Sequence, residues 1–313
     1  MKKALIIGAA GFVGSYLIDH IQKNCIWSIV VTKMPQEQIE KTGVEVRDLN
    51  ILEPEQIQRL LKEVRPDYLF HLAAQSSVGL SWKNPGLTVD VNIKGSLNVL
   101  DAVRNLDYKP RVLLIGSGEE YGTVRVDEIP IKEDNRVRPG NVYAVTKACQ
   151  NMLGKIYSQA YAMDIMMVRA FNHVGPNQAP LFVVADFCRQ VAAIENEKQE
   201  PVIRVGNLNV ARDFTDVRDV VRAYTLLMEH GAAGETYNVG SGKAIAIREI
   251  LDMILAQAKV PIEVQVDRAR LRPVDVPVIE ADVSKLEACT GWKREIPLEQ
   301  TIGETLEYWR RQG

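Results

Sequence analysis

The chain contains no apolar run approaching the roughly 18 consecutive residues of a membrane-spanning helix, so a membrane partner is not expected. Cysteine and histidine are scarce, with 4 of each in 313 residues. Cys25, Cys149, Cys188 and Cys289 are scattered along the chain, as are His20, His71, His173 and His230. That dispersal excludes both a clustered metal site and a dense disulfide framework. An excess of one charge is also missing: 38 Lys+Arg stand against 40 Asp+Glu, a formal net charge of −2. A chain-wide basic footprint is thereby excluded, and nucleic acid with it as the main partner. Low-complexity tracts and internal repeats are lacking too. What is present, 46% hydrophobic and 25% charged residues, suits a globular cytoplasmic protein, and a length of 313 residues suggests two domains.

The first half alternates short apolar runs with amphipathic stretches. Strands are expected at Ala4–Ile7, Ile26–Val31, Val44–Arg47, Tyr68–Leu72, Arg111–Ile115 and Ile165–Val168. Helices are expected at Gly11–Asn24, Glu55–Val64, Val89–Asn105 and Val142–Ala160. Strands that are almost wholly apolar and separated by helices imply a parallel sheet covered on both faces, hence a doubly wound α/β (Rossmann) fold. The amino-terminal segment carries a basic start and an apolar stretch, as secretory signals do. Gly8, Gly11 and Gly14 interrupt it, and Val13, Leu17 and Ile21 then continue at helical spacing, so a structural helix is expected there instead. Beyond about residue 168 the pattern loosens. Helices are expected at Phe182–Lys198, Val217–Glu229 and Arg248–Ala258, with strands at Val202–Val205 and Thr236–Val239. We therefore expect a dinucleotide-binding domain over 1–168, rejoined by about 212–240, and a smaller interleaved lobe, mainly 169–313, across the sheet's carboxyl edge.

The segment Gly8-Ala9-Ala10-Gly11-Phe12-Val13-Gly14 joins the first strand to the first helix. Glycines there allow a tight turn and a close backbone approach to a pyrophosphate, which would sit at the helix N-terminus facing its free N–H groups. After the second strand, a carboxylate would suit the ribose hydroxyl of NAD, whereas a cation accommodates the extra phosphate of NADP. This strand ends in Thr32-Lys33, which favours NADP(H), with NAD(H) the alternative and a merely solvated lysine the plain reading. Asp48, followed by Leu49, is placed after the third strand to meet the adenine, or else to cap a helix.

Tyr143 and Lys147 stand at i and i+4, on one face of a helix. A free phenol titrates near pH 10 and is a poor acid–base group at neutrality, but a neighbouring ammonium stabilises its phenolate. Ser117 follows the fifth apolar strand, at the carboxyl end where open α/β sheets bind ligands, and is placed to hydrogen-bond a carbonyl oxygen. A Tyr/Lys pair occurs often by chance on helices; with the glycine turn and Ser117 it points to hydride-transfer chemistry.

This combination resembles the extended short-chain dehydrogenase/reductase superfamily, in its nucleotide-sugar branch. Further segments carry the resemblance: Phe70-His71-Leu72-Ala73-Ala74-Gln75-Ser76, Asp90-Val91-Asn92-Ile93-Lys94-Gly95 and Ser117-Gly118-Glu119-Glu120-Tyr121-Gly122. So do Arg169-Ala170-Phe171-Asn172-His173-Val174-Gly175-Pro176, Arg212-Asp213-Phe214-Thr215-Asp216-Val217-Arg218-Asp219, Leu271-Arg272-Pro273 and Gly291-Trp292. The resemblance implies that Ser117, Tyr143 and Lys147 are catalytic and that Leu72, Ala73 and Ala74 line a nicotinamide cofactor. It implies that Arg212 and Arg272 hold the diphosphate of a GDP-sugar and that Asp275 binds its ribose. Asn172 would contact the sugar nucleotide, while Ser76 and Glu119 face the hexose. Members of this branch dimerise through two helices corresponding to 89–105 and 142–160, which implies a homodimer.

Within the branch the GDP-sugar reductases and dehydratases are most similar. A dehydratase needs an extra acid–base carboxylate, and Glu119 would supply it. However, dehydratases usually carry Thr at the position of Ser117, Ser or Asp at that of Gly118, and often His at that of Ser77. Their cofactor turn also differs from Ala10-Gly11-Phe12-Val13-Gly14. The expected activity is therefore reduction of a GDP-4-keto-6-deoxy sugar, with dehydration the alternative and epimerisation a more distant one.

Overall fold

The computed structural model describes residues 1–271 and 276–313. In chain order it opens with β1 (Lys2–Ile7), α1 (Phe12–Asn24), β2 (Trp27–Lys33), β3 (Glu45–Asp48), α2 (Pro54–Val64) and β4 (Tyr68–His71). Helices α3 (Val78–Lys83), α4 (Pro85–Val89) and α5 (Gly95–Arg104) lead to β5 (Arg111–Ser117), α6 (Val142–Tyr161) and β6 (Ile165–Ala170). Then come β7 (Asn172–Val174), α7 (Val183–Glu195), β8 (Val202–Val205), β9 (Ala211–Asp216), α8 (Val217–His230) and β10 (Thr236–Val239). The chain closes with β11 (Ala244–Ala246), α9 (Ile247–Leu255), β12 (Glu263–Val266), β13 (Val278–Ile279), α10 (Ser284–Thr290) and α11 (Leu298–Gln312).

Seven strands form the central sheet in the order β3-β2-β1-β4-β5-β6-β10, every pairing parallel. The strand pleat sends alternate residues to opposite faces, and both faces are covered. Ala4 and Ile6 of β1 enter one apolar core with Leu17 and Ile21 of α1 and Val220 and Leu227 of α8. Leu5 and Ile7 enter the other, with Ile57 and Leu61 of α2, Val99 of α5 and Tyr157 of α6. The sheet is thus doubly wound, and its order reverses between β1 and β4. Beside β10, which belongs to the second half of the chain, lies a smaller unit. There β9 is flanked by β11 and β13, with β7 also paired to it, and β8 pairs with β12. Its own core gathers Phe187 of α7, Ile250 of α9 and Ile302 of α11.

The strands β7, β9, β11, β12 and β13 and the short helices α3 and α10 are not among the expected elements, and two longer helical stretches also differ. The single helix expected over Val89–Asn105 is interrupted by a π turn, Asp90–Lys94, between α4 and α5. Asn92 is buried there, and its carbonyl accepts from the Ser96 hydroxyl at 2.7 Å. Single π turns of this kind occur mostly near functional sites. The carboxyl-terminal helix α11 was not expected. Its buried face alternates Leu298, Ile302 and Leu306 with Thr301 and Thr305, and the threonines dilute the apolar period. The Thr301 hydroxyl donates to Asp216 Oδ2 at 2.7 Å, which satisfies a buried carboxylate at the end of β9.

If α11 is an integral part of this core, Ile302→Ala will cost about 2–5 kcal/mol, as for other buried aliphatic truncations. Chemical denaturation monitored by circular dichroism measures it; a change below a few tenths of a kcal/mol would place α11 outside the cooperative unit.

Candidate active site

The glycine turn lies at the β1/β4 reversal, and its three glycines serve different ends. Gly8 has φ +82, and a Cβ there would lie 2.5 Å from the Ala73 Cα, so the end of β1 can approach the chain leaving β4 only as glycine. A Cβ on Gly14 would lie 2.3 Å from the Ala9 carbonyl oxygen, so the first turn of α1 packs directly on the loop. Gly11 is the N-cap of α1, and a Cβ there would meet only the Gly8 oxygen at 3.9 Å, leaving the space above the turn open. No side chain caps α1, and its first turn carries no acidic residue. Uncapped N–H groups under an open, glycine-lined surface fit the diphosphate of a dinucleotide.

Thr32 is buried, and its Oγ1 accepts from the Gly8 N–H at 3.1 Å. This corrects its expected role beside an adenosine phosphate, because its hydroxyl braces the turn from beneath. Lys33 and Asp48, assigned separately to phosphate and adenine, are brought together: the β2/β3 register pairs them, and Lys33 Nζ lies 2.6 Å from Asp48 Oδ1. Leu49 is buried beside them, with its N–H on the Lys33 carbonyl at 2.9 Å. Leu72, Ala73 and Ala74 leave β4 half-buried along the turn, and Ser76 is exposed just beyond. Phe12 lies parallel to the His173 ring, with centroids 6.1 Å apart and planes 5° apart. This contact ties the turn to β7, which carries Asn172 half-buried at its start.

Across the sheet edge, β5 ends in Ser117 and α6 begins at Val142, capped by Asn141 Oδ1 on the Ala144 N–H at 2.8 Å. Tyr143, Lys147 and Ser117 are all buried. Burial pushes the Tyr143 phenol well above its usual range; the Ser117 hydroxyl bonded to it pulls the other way, and the Glu119 and Glu120 charges add to the rise. The expected pull of Lys147 on that phenol is not what the geometry shows. Lys147 Nζ donates to the Ile115 carbonyl at 2.6 Å and to Gln150 Oε1 at 3.1 Å, so it faces the strand end. Desolvation brings the ammonium down to about 8, opposed by the Glu120 charge. Glu119 is half-buried, and its Oε2 accepts from Asn141 Nδ2 at 3.2 Å.

A polar network missed in the sequence holds α6 in place. Asn92 Oδ1 accepts from the Gln75 N–H at 2.8 Å. Its Nδ2 donates to the Gln75 carbonyl at 3.0 Å and to Thr146 Oγ1 at 2.9 Å. The π turn thereby links the chain after β4 to the turn of α6 that carries Tyr143. His71 is buried below, its Nε2 3.0 Å from Ser96 Oγ, and burial holds it near about 3, neutral throughout the working range. The Asn92 segment carried a family signal, whereas the pairing of Asn92 with Thr146 had none.

On the substrate side, Arg212 is buried in β9, with Nη1 donating to the Ala211 carbonyl at 2.8 Å and the Val276 carbonyl at 2.6 Å. Arg272 and Asp275 lie outside the described residues. No group of three or more His, Cys, Asp or Glu residues suits a metal ion among the described residues. Nor is any described helix long and apolar enough to cross a membrane.

Comparison with known proteins agrees with this geometry. Residues 5–305 match the family model described as GDP-mannose 4,6 dehydratase. A GDP-6-deoxy-D-mannose reductase of Pseudomonas aeruginosa is 33% identical over 309 residues, covering 98% of this chain and 97% of that protein. Among solved structures, RMD from Pseudomonas aeruginosa complexed with NADPH superposes with a TM-score of 0.89 at 32% identity, covering 100% of both chains. A Thermus thermophilus UDP-glucose 4-epimerase in complex with NAD gives 0.86 at 28% identity, over 98% of this chain and 99% of that one.

The turn makes a direct test. Gly8→Ala places a side chain at positive φ and against the Ala73 backbone, so a loss of about 1–3 kcal/mol is expected from the backbone alone. Thermal melting and nicotinamide-cofactor titration measure the two consequences, and a variant with wild-type stability and binding would refute the close packing.

Proposed function

The chain belongs to the GDP-mannose 4,6-dehydratase family of extended short-chain dehydrogenase/reductases, nicotinamide-dependent nucleotide-sugar enzymes, and we propose that it is a reductase within it. Its reaction is the NADPH-dependent reduction of the C4 carbonyl of GDP-4-dehydro-6-deoxy-D-mannose to GDP-6-deoxy-D-mannose (GDP-D-rhamnose). The observation that carries this reading is the space at Gly118. A Cβ there would stand 3.1 Å from the Phe171 ring, and Phe171 is itself buried. The position that bears Ser or Asp in dehydratases of this branch is crowded here, while the Ser117 and Tyr143 needed for carbonyl reduction are retained.

The Gly8–Gly14 turn and the Leu72–Ala74 segment after β4 would hold a nicotinamide cofactor, with Lys33 toward its adenosine side, and the bound cofactor would supply the hydride. Ser117 hydrogen-bonds the carbonyl oxygen of the sugar and orients it toward Tyr143. Tyr143 donates its phenolic proton to that oxygen as negative charge develops. Since burial holds the phenol protonated far above neutrality, it is stocked as an acid at working pH. Lys147, cationic below about 8 and held at the end of β5 by the Ile115 carbonyl, would serve the nicotinamide ribose and not the phenol. Arg212 serves the diphosphate from the second lobe, with Arg272, and Asp275 the guanosine ribose. Asn172, Ser76 and Glu119 then contact the sugar. The second lobe is read as 169–313, less α8 and β10, which join the first; β9, at the start of the 212–240 stretch expected to rejoin it, pairs within the smaller sheet.

Dehydration is the second reading, favoured by one observation: Glu119 lies close enough to Tyr143 for its charge to raise the phenol. A homodimer is also proposed. Val145, Met152 and Ile156 on α6 and Leu80, Trp82, Leu87 and Val89 on the neighbouring α3 and α4 are exposed apolar side chains that suit a second copy. Ile156→Glu should shift the protein from dimer to monomer in light scattering; an unchanged mass would move the interface elsewhere.

The reaction is tested with two incubations. NADPH oxidation is expected with the 4-keto-6-deoxy GDP-sugar, and consumption of GDP-mannose without added reductant would overturn the reductase reading. Tyr143→Phe should lower kcat by about 10²–10⁴-fold while NADPH still binds. Activity should be full below pH of about 8 and fall as pH rises through it, because Lys147 loses its proton there while Tyr143 keeps its own. A flat profile to pH 10 would remove Lys147 from the mechanism.

A further inference from the structure

Beneath Ser117 lies a carboxylate that the chemistry above does not use. Glu120 is wholly buried, in the 3₁₀ turn Gly118–Tyr121 that continues β5. Its Oε1 accepts from the Ser117 N–H at 2.8 Å and from Asn151 Nδ2 at 2.7 Å. Its Oε2 accepts from Asn151 Nδ2 at 2.7 Å and from Arg169 Nε at 3.0 Å. Burial pushes the Glu120 carboxyl above its usual range, and the Arg169 charge, the Ser117 N–H and Asn151 pull it back, so every polar contact in the pocket is a donor that favours the ionised group. Room for it exists because residue 116 is glycine: a Cβ there would lie 2.3 Å from Glu120 Oε1. Arg169 in turn donates to the Tyr121 hydroxyl at 2.9 Å and the Glu133 carbonyl at 3.0 Å, and Tyr121 donates to Asn238 Oδ1 at 2.7 Å. One buried charge pair therefore spans β5, β6, β10 and α6.

We propose that Glu120 is a positioning residue of this active site. Its carboxylate clamps the Ser117 amide to α6 through Asn151 and to β6 through Arg169. The clamp fixes the turn that presents Ser117 and Glu119 to Tyr143. Removing one partner of a buried pair leaves the other uncompensated, which explains why the cluster is closed on all sides. The same negative charge reaches the acid–base groups. The charged and titratable groups around Tyr143 are Glu119 and Glu120 from the 3₁₀ turn and Tyr224 from α8; those around Lys147 are Glu120 and His71 from β4. Glu120 raises both Tyr143 and Lys147.

The kinetic part of the test rests on the reductase reading, and amide exchange does not. Glu120→Gln keeps the shape and loses the charge, whereas Glu120→Asp keeps the charge and shortens the arm. Both should lower kcat on the keto sugar on the order of 10- to 100-fold, with the dissociation constant for NADPH unchanged. Only the Gln variant should move the alkaline limb, by about 1 unit to lower pH, since removing a negative charge eases deprotonation. Hydrogen exchange should quicken in the peptide carrying Ser117 and not in α1. Asn151→Ser, which retains Glu120 and Arg169, should reproduce the kcat loss and local exchange if neither Glu120 variant folds. Wild-type kcat, limb and exchange in these variants would overturn the proposal, as would parallel losses of kcat, NADPH affinity and melting temperature. If the wild-type protein itself fails to turn over the keto sugar, the reductase reading falls, while exchange at Ser117 still decides on Glu120.

Discussion

Burying a phenol and an ammonium one helical turn apart is the constraint on which the rest of this structure depends. Desolvation drives both toward their neutral forms, the phenol upward and the ammonium downward. Each must then be met by fixed polar partners. Lys147 finds the Ile115 carbonyl where β5 ends, and Tyr143 finds Ser117 two residues further along the same strand. That arrangement requires β5 and the start of α6 to be held in a fixed relation. The holding is done by Asn141, which caps α6, and by Asn92, which joins the π turn to Thr146.

The second requirement is proximity between two sites built on different strands. The order reversal between β1 and β4 opens a crevice at the carboxyl edge, and the glycine turn lines it because Gly8 and Gly14 let backbone pack on backbone. The smaller unit is bound to the same crevice. Phe12 stacks on His173, and Tyr16 donates to the Pro176 carbonyl at 2.9 Å, so the strand bearing Asn172 cannot drift from the turn. A rigid link of this kind sets the distance between a cofactor and a sugar.

Much of this was legible in the sequence, for identifiable reasons. The parallel strands are nearly all apolar, so β1, β5 and β6 were located within a few residues, and β8 and β10 to the residue. Glycines with positional meaning marked the turn, and Tyr143, Lys147 and Ser117 carried both a spacing and a strand-end signal. What was not legible depended on tertiary pairing. Lys33 and Asp48 are fifteen positions apart and meet only through the β2/β3 register. The direction of Lys147 is set by a carbonyl, which has no sequence identity. Nothing in the sequence marks Glu120, one of two adjacent acids, as buried, and the space left by Gly116 shows why it is inside. Helix α11 escaped because threonines with intramolecular hydrogen-bond partners replace part of its apolar face.

The proposed reaction is a net reduction that consumes NADPH and adds its hydride to C4 of the sugar. Incubating the protein with the 4-keto-6-deoxy GDP-sugar and NADPH deuterated at the transferable position, then locating the label by mass spectrometry and NMR, tests it most directly. One deuterium at C4 of the product, with stoichiometric loss of NADPH, is the predicted result. Unlabelled product, or turnover of GDP-mannose that leaves the cofactor pool unchanged, would contradict it.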